Sequence, residues 1–103
     1  MEFDEYQKGT EKTAVYPEEK AVEYLALGLN GEAGEVAEKI KKSIRDDKEL
    51  SDEIQDEIGD CLWYIARLLD ELGYSFSETA EGNLDKLLDR KDRGKIHGSG
   101  DKR

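Results

Sequence analysis

Apolar residues recur at steps of about three and four along two long stretches of the chain, which is the spacing of amphipathic helices. The first stretch runs from about residue 18 to residue 45, after the single proline, Pro17, and two acidic residues that favour a helix N-terminus. Its apolar positions are Val22, Leu25, Leu29, Val36, Ile40 and Ile44. We therefore predict a long helix here with one face turned towards a core.

The second stretch predicts a helix from about residue 52 to residue 72, with Ser51 as its N-cap and acidic residues in its first turn. From Cys61 to Leu69 this helix is apolar almost all round, with Arg67 as the exception. A helix of that kind is buried on more than one side. In a chain of 103 residues this favours an interface between subunits.

The segments on either side of these two helices also favour helix. Residues 1–16 predict a short helix followed by a loop. Gly73 is a plausible stop for the second long helix. Ser75 or Ser77 is then expected to cap a last helix that runs to about residue 91.

We therefore expect an all-α protein with a single domain over residues 1–92. It is predicted to be a helical bundle of three long helices and a short N-terminal helix, completed by oligomerisation. The glycine-rich tail, residues 93–103, holds one large apolar residue, Ile96. We expect this tail to be a loop or arm that orders only on a ligand or on a neighbouring subunit.

Composition excludes several kinds of partner and site. The chain has 26 acidic and 16 basic residues and a formal net charge of −10, which disfavours binding to duplex nucleic acid. No apolar run is long enough to span a membrane, and the acidic N-terminus lacks the apolar region of a signal peptide, so we expect a cytoplasmic protein without a membrane partner. The single Cys61 and single His97 exclude an internal disulfide and a cysteine- or histidine-rich metal site.

Two acidic pairs differ from the other acids in their context. Glu32 and Glu35 stand three residues apart in the first long helix, and Glu57 and Asp60 do so in the second. This spacing puts both members of a pair on one side of a helix, at the border of its apolar stripe. Each pair also encloses a glycine, which predicts a close approach of the two helices and a convergence of the four carboxylates.

Carboxylates that converge in a partly buried place need compensation for their charge, and a hard divalent cation supplies it. A set of oxygen ligands without His or Cys favours Mg²⁺, with Mn²⁺ as a possible substitute. The alternative is that these acids are solvated and form ordinary ion pairs along a helix, such as Glu35 with Lys39 and Glu38 with Lys42. Spacing alone leaves both interpretations open.

At this point the residues resemble a known family. The segments G-E-A-G-E-V and D-E-I-G-D-C-L-W-Y are similar to the paired acidic motifs of the MazG-like, all-α nucleoside triphosphate pyrophosphohydrolases. The stretch N-L-D-K-L-L-D-R, from Asn83 to Arg90, and the glycine-rich tail resemble later parts of the same family. One departure is Asp56, where many relatives have Glu.

The resemblance implies a Mg²⁺-dependent hydrolase that cleaves a nucleoside or deoxynucleoside triphosphate to the monophosphate and pyrophosphate, acting as a homodimer or homotetramer. It implies four metal ligands, which are Glu32, Glu35, Glu57 and Asp60. The general base would be Glu35 or Glu38. The expected contacts with the substrate are Asn83, Lys86, Arg90, Lys39, Trp63 and Asp101. For Trp63, packing in an interface is the plainer interpretation.

Two alternatives to this activity remain at the level of sequence. The same metal site would also suit stepwise removal of phosphates, or hydrolysis of a dinucleotide or alarmone. A protein of another class, an acidic helical adaptor without enzyme activity, would have solvated carboxylates and no need for a metal.

Overall fold

The computed structural model describes all 103 residues as α-helices, short 3-10 turns and connecting loops, without strands. The α-helices are α1 (Phe3–Thr10), α2 (Ala21–Asp46), α3 (Ser51–Glu71) and α4 (Phe76–Asp92). This confirms the prediction of an all-α chain with three long helices and a short N-terminal helix. No helix has both the length and the apolar character needed to cross a membrane.

The junction between α3 and α4 follows the predicted capping signals. Gly73 adopts a positive φ of 85° directly after α3, a conformation that favours glycine and ends the helix. Ser75 then caps α4, because its hydroxyl accepts a hydrogen bond of 3.1 Å from the backbone N–H of Glu78.

The predicted start of α2, at about residue 18, was three residues too early, and the N-cap of α3 is Leu50 and not the predicted Ser51. Ser51 is the first residue of α3, not its N-cap, since its backbone N–H and its hydroxyl both donate to the carboxylate of Glu49. Pro17 precedes a 3-10 turn, Glu18–Lys20, so α2 begins only at Ala21. Acidic residues lie near both starts, where the positive end of the helix dipole favours negative charge.

Helices α2 and α3 form the main packing unit of the chain. Leu25 of α2 and Ala66 of α3 are completely buried. Close approach occurs at Gly28, where an added Cβ would lie 2.2 Å from the ring of Tyr64. The prediction that Gly34 and Gly59 provide this close approach was wrong, because both have open space where a Cβ would be.

Gln7 of α1 ties the N-terminal helix to the rest of the chain. Its buried side-chain amide donates to the carbonyls of Ala66 and Tyr74 and accepts from the N–H of Phe76. Because each donor and acceptor has a partner, this polar group is accommodated in the interior. Helix α1 is therefore fixed against both α3 and the start of α4.

Arg67 fixes the loop that follows α1. It is the one polar residue in the otherwise apolar part of α3. Its side chain is nearly buried, forms an ion pair of 2.9 Å with Asp70, and donates to the hydroxyls of Tyr16 and Thr10. A buried charge needs such partners. The loop is thus held across the middle of α3.

Many large apolar side chains stay exposed in the single chain. Leu27 and Ile44 of α2 are 73% and 79% exposed, and Leu84 of α4 is 60% exposed. The C-terminal end of the predicted core face of α2, at Ile44, is thus not buried within a single chain. The radius of gyration of 16.4 Å also exceeds the value of about 13 Å that is typical of a compact chain of this length.

Candidate metal centre and substrate site

Three of the four predicted metal ligands converge between α2 and α3. Glu32, Glu57 and Asp60 each place a carboxylate oxygen within 4.8 Å of the others. Glu32 and Glu57 are half-buried and Asp60 is exposed, so the group opens to solvent. We call these three residues the acidic triad.

The electrostatics of the acidic triad are those of like charges without a countercharge. Burial raises the pKa of Glu32, and the negative charge of Asp60, a hydrogen bond with Glu57 and the charge of Glu35 raise it further. None of the ion pairs in the structure includes a member of the triad. The ionised form of Glu32 is therefore disfavoured as long as no cation lies nearby.

The donor set fits a hard divalent cation. The triad supplies only oxygen atoms, and it is open enough to leave room for water and for a further ligand. A cation there would replace the repulsion among the carboxylates by attraction. The residues present therefore fit Mg²⁺ or Mn²⁺ better than Zn²⁺, which prefers nitrogen and sulfur ligands.

The other predicted catalytic residues lie along α2, outside the triad. Glu35 is exposed and is near enough for its charge to act on Glu32. Glu38 forms an ion pair of 3.2 Å with Lys41, and this partner lowers the pKa of Glu38. The alternative pairs predicted along this helix, Glu35 with Lys39 and Glu38 with Lys42, are both absent.

The predicted substrate clamp on α4 holds a part of the chain itself. The ammonium of Lys86 lies 2.8 Å from a carboxylate oxygen of Asp101. The Arg90 guanidinium, which is nearly buried, contacts the same oxygen at 3.2 Å and also donates to the Asp101 carbonyl. Asn83, one turn earlier on α4, is exposed. No hydrogen bond or ion pair joins these α4 residues to the acidic triad.

Trp63 is part of an aromatic cluster within the chain, whereas the plainer interpretation of the sequence placed it in an interface between subunits. Its indole N–H donates to the hydroxyl of Thr13 at 2.8 Å, and its ring meets those of Tyr16 and Tyr64 edge to face. Tyr16 in turn stacks on Tyr24. These contacts help to hold the loop after α1 on the surface of α3.

Tyr64 borders the acidic triad, which the sequence analysis missed. Burial raises its pKa, and the charges of Tyr24, Glu32 and Asp60 add to this effect. A sequence signal exists, because Gly28 stands four residues before Glu32 and Tyr64 stands four residues after Asp60. The glycine and the ring thus share faces with two of the acids and pack together one turn away from them.

Comparison with known proteins places the chain in a family. Residues 20–94 match the model of the MazG nucleotide pyrophosphohydrolase domain, and this range contains the whole acidic triad. The chain belongs to the MazG family. A relative, the Gene 37 protein of Mycobacterium phage L5, is 43% identical in an alignment of 114 positions that covers all of both chains. No solved structure matches this MazG chain.

Membership of the MazG family confirms the resemblance drawn from the paired acidic motifs. It indicates a nucleotide pyrophosphohydrolase and is consistent with a nucleotide substrate. The family is generally metal-dependent, and the acidic triad of this chain agrees with that property.

Proposed function

We propose that this MazG protein hydrolyses nucleoside or deoxynucleoside triphosphates to the monophosphate and pyrophosphate, with Mg²⁺ as its cofactor and Mn²⁺ as a possible substitute. The observation that carries the proposal is the convergence of Glu32, Glu57 and Asp60 within 4.8 Å, without a cationic partner, inside the matched MazG domain. An acidic helical adaptor has no need for such an arrangement.

In the proposed reaction the acidic triad holds the metal, with Glu35 as a further ligand or as the general base. Mg²⁺ bound there supplies positive charge that shields the triphosphate and lowers the pKa of water. Glu35 has no ion-pair partner, so its carboxylate is free to accept a proton. Glu38 is the weaker candidate for the base, because Lys41 stabilises its ionised form.

The other predicted contacts with the substrate differ in whether they already have a partner within the chain. Lys39 and Asn83 have no partner within the chain and are proposed to contact phosphate or sugar. Lys86 and Arg90 can contact the substrate directly only after Asp101 has released them. Trp63 contributes through packing.

We also propose a homodimer or homotetramer. Leu27 and Ile44 of α2 and Leu84 and Leu88 of α4 are each more than half exposed in the single chain, and exposed apolar side chains of this kind favour an interface. A second copy of the chain that packs against α2 and α4 would bury these side chains, whereas the sequence predicted the interface at α3.

The test is a panel of nucleoside and deoxynucleoside triphosphates, assayed with and without Mg²⁺, with the products separated by anion-exchange chromatography. Monophosphate and pyrophosphate in equal amounts, formed only with the metal, are the expected result. Orthophosphate and a diphosphate intermediate would overturn the bond assignment in favour of stepwise removal. Absence of turnover on the whole panel, and then on dinucleotides and alarmones, would favour the adaptor.

A further inference from the structure

Positive charge is concentrated at the C-terminal end of this acidic chain. Residues 86–103 contain seven basic and three acidic side chains, although the whole chain carries a net charge of −10. A local excess of this kind attracts anions, since the summed charge of a region sets its potential. Some of these cations form hydrogen bonds or ion pairs within the chain, and others do not.

Four of the seven basic side chains hold the tail in place, and these are Lys86, Arg90, Arg93 and Arg103. Lys86 and Arg90 hold Asp101, and Arg93 donates to Asp89 and to the carbonyl of Arg103. The tail is therefore ordered within one chain.

Arg103 folds the tail into a closed loop. Its guanidinium donates to the carbonyls of Lys95, Ile96 and Gly100 at 2.7 to 2.9 Å. The Arg103 side chain packs over Gly98, where an added Cβ would lie 2.5 Å from it. We call this closed segment, residues 94–103, the tail loop.

The basic side chains not yet accounted for are Lys91, Lys95 and Lys102, and the first two meet His97 at one cavity. Lys91, Lys95 and His97 have no side-chain hydrogen bond or ion pair, and all three line a cavity of about 340 Å³ between the end of α4 and the tail loop. Gly94 also lines it and has open space where a side chain would be, so a ligand can come close to the backbone there. The helix dipole explains a cation at Lys91 but not the two residues beyond the helix.

We propose that this cavity is an oxyanion site for a phosphate group, with Lys91, Lys95 and His97 as its contacts. Lys91, Lys95 and His97 are exposed to water, and all three present nitrogen atoms without a partner in the chain to the same cavity. Hydrogen bonds between charged groups and phosphate oxygens are strong. The choice of phosphate rests on the proposed function, whereas the presence of an anion site rests on the cavity alone. Asp101 is a positioning residue, because it fixes the tail loop to Lys86 and Arg90.

His97 is the only histidine, so its ring signals in a ¹H–¹³C NMR spectrum report on this cavity alone. The first probe is inorganic pyrophosphate, added to the full chain without divalent cation at constant ionic strength. We expect the His97 signals to shift and to saturate. Unchanged His97 signals at millimolar pyrophosphate would overturn the proposal.

Lys95→Ala and Lys102→Ala form a matched pair, since both remove one positive charge from the tail loop but only Lys95 lines the cavity. We expect Lys95→Ala to weaken pyrophosphate binding about tenfold and Lys102→Ala to leave it within about twofold, a difference of about 1.4 kcal/mol or less. Equal weakening by both changes would mean a diffuse charge effect and would overturn the site.

Asp101→Asn tests the positioning role. We expect weaker pyrophosphate binding together with faster hydrogen exchange at the amides of Lys95 and Gly98, which bond within the tail region. Tighter binding in this variant would overturn the role, because it would show that Asp101 competes with the anion. Asp92→Asn is the control, as it removes an exposed acid that forms no ion pair.

These measurements separate the two proposals, because none of them needs the metal or turnover. A His97 response in a protein that hydrolyses no nucleotide would keep the anion site and remove the proposed function. Hydrolysis without a His97 response would do the reverse. A nucleoside triphosphate that binds more tightly than pyrophosphate identifies substrate as the source of the phosphate, and the opposite order identifies product.

Discussion

The acidic triad and the region around the tail loop carry charges of opposite sign. They also differ in whether those charges are paired within the chain. Glu32, Glu57 and Asp60 lie together with no cation among them, whereas Lys86 and Arg90 share the carboxylate of Asp101. Charges that are paired within the chain serve to hold its segments together. Charges that the chain brings together and leaves unpaired indicate a ligand of the opposite sign.

Each region would be satisfied by a ligand of the opposite charge. A divalent cation would offset the acidic triad, and phosphate groups would offset the cations that line the tail cavity. This complementarity also answers how a chain with a net charge of −10 can bind an anion. The following changes test whether the two regions differ as proposed.

The largest effect is expected from Asp60→Asn. Loss of one ligand from the triad should lower kcat/KM about 100-fold or more, since a metal ion contributes several kcal/mol to catalysis. The fold should survive, because the change relieves repulsion among like charges. Steady-state kinetics and thermal unfolding measure the two effects. The control is Asp52→Asn, which removes an exposed acid from the first turn of the same helix; equal loss in both variants would contradict the triad assignment.

The acidic pairs could be predicted from sequence because their spacing follows from helix geometry. The i,i+3 steps put Glu57 and Asp60 on one side of α3, and the apolar stripe placed that side at the edge of the core. Glu35 shows the limit of this reasoning. Its spacing from Glu32 is the same, yet whether its side chain reaches the triad depends on the crossing of α2 and α3, which no local pattern determines.

The partner of Lys86 and Arg90 could not be predicted for a related reason. Their i,i+4 spacing correctly puts them on one face of α4, but Asp101 reaches them only through the turns of a glycine-rich tail. Such turns depend on long-range contacts such as those of Arg103 with three backbone carbonyls. Composition alone favoured an unstructured arm.

Addition of Mg²⁺ is expected to stabilise the wild-type protein. A ligand that binds only the folded state at 100 times its dissociation constant adds about 2.7 kcal/mol to the free energy of unfolding. Glu57→Gln should lose most of this gain. Differential scanning calorimetry with Mg²⁺ and with EDTA measures it, and an equal gain in Glu57→Gln would show that the cation binds elsewhere on the acidic surface.

A smaller effect is expected from Gly28→Ala. The added methyl group would collide with the ring of Tyr64, and overpacking of this kind typically costs about 1–3 kcal/mol. Gly31→Ala is the matched control, because it lies on the same helix with open space and should gain up to about 1 kcal/mol from helix propensity. Urea denaturation distinguishes the two signs. If the regions are independent, the His97 response to pyrophosphate should persist in Gly28→Ala.

The smallest effect concerns the pH dependence of stability without divalent cation. The folded-state pKa of Glu32 is raised above its usual 4.5, so the folded state binds more protons than the unfolded state over the interval between the two values. The contribution of Glu32 to stability is therefore most favourable below 4.5 and falls as the pH rises through its folded pKa. Other carboxylates, such as Asp4 and Asp101, have lowered pKa values and act in the opposite direction.

The difference between wild type and Glu32→Gln isolates the Glu32 effect, and we expect the variant to gain stability relative to wild type as the pH rises from 4 to 7. Saturating Mg²⁺ should reverse this order, because only the wild-type carboxylate then has a countercharge; a difference independent of both pH and metal would remove Glu32 from the triad.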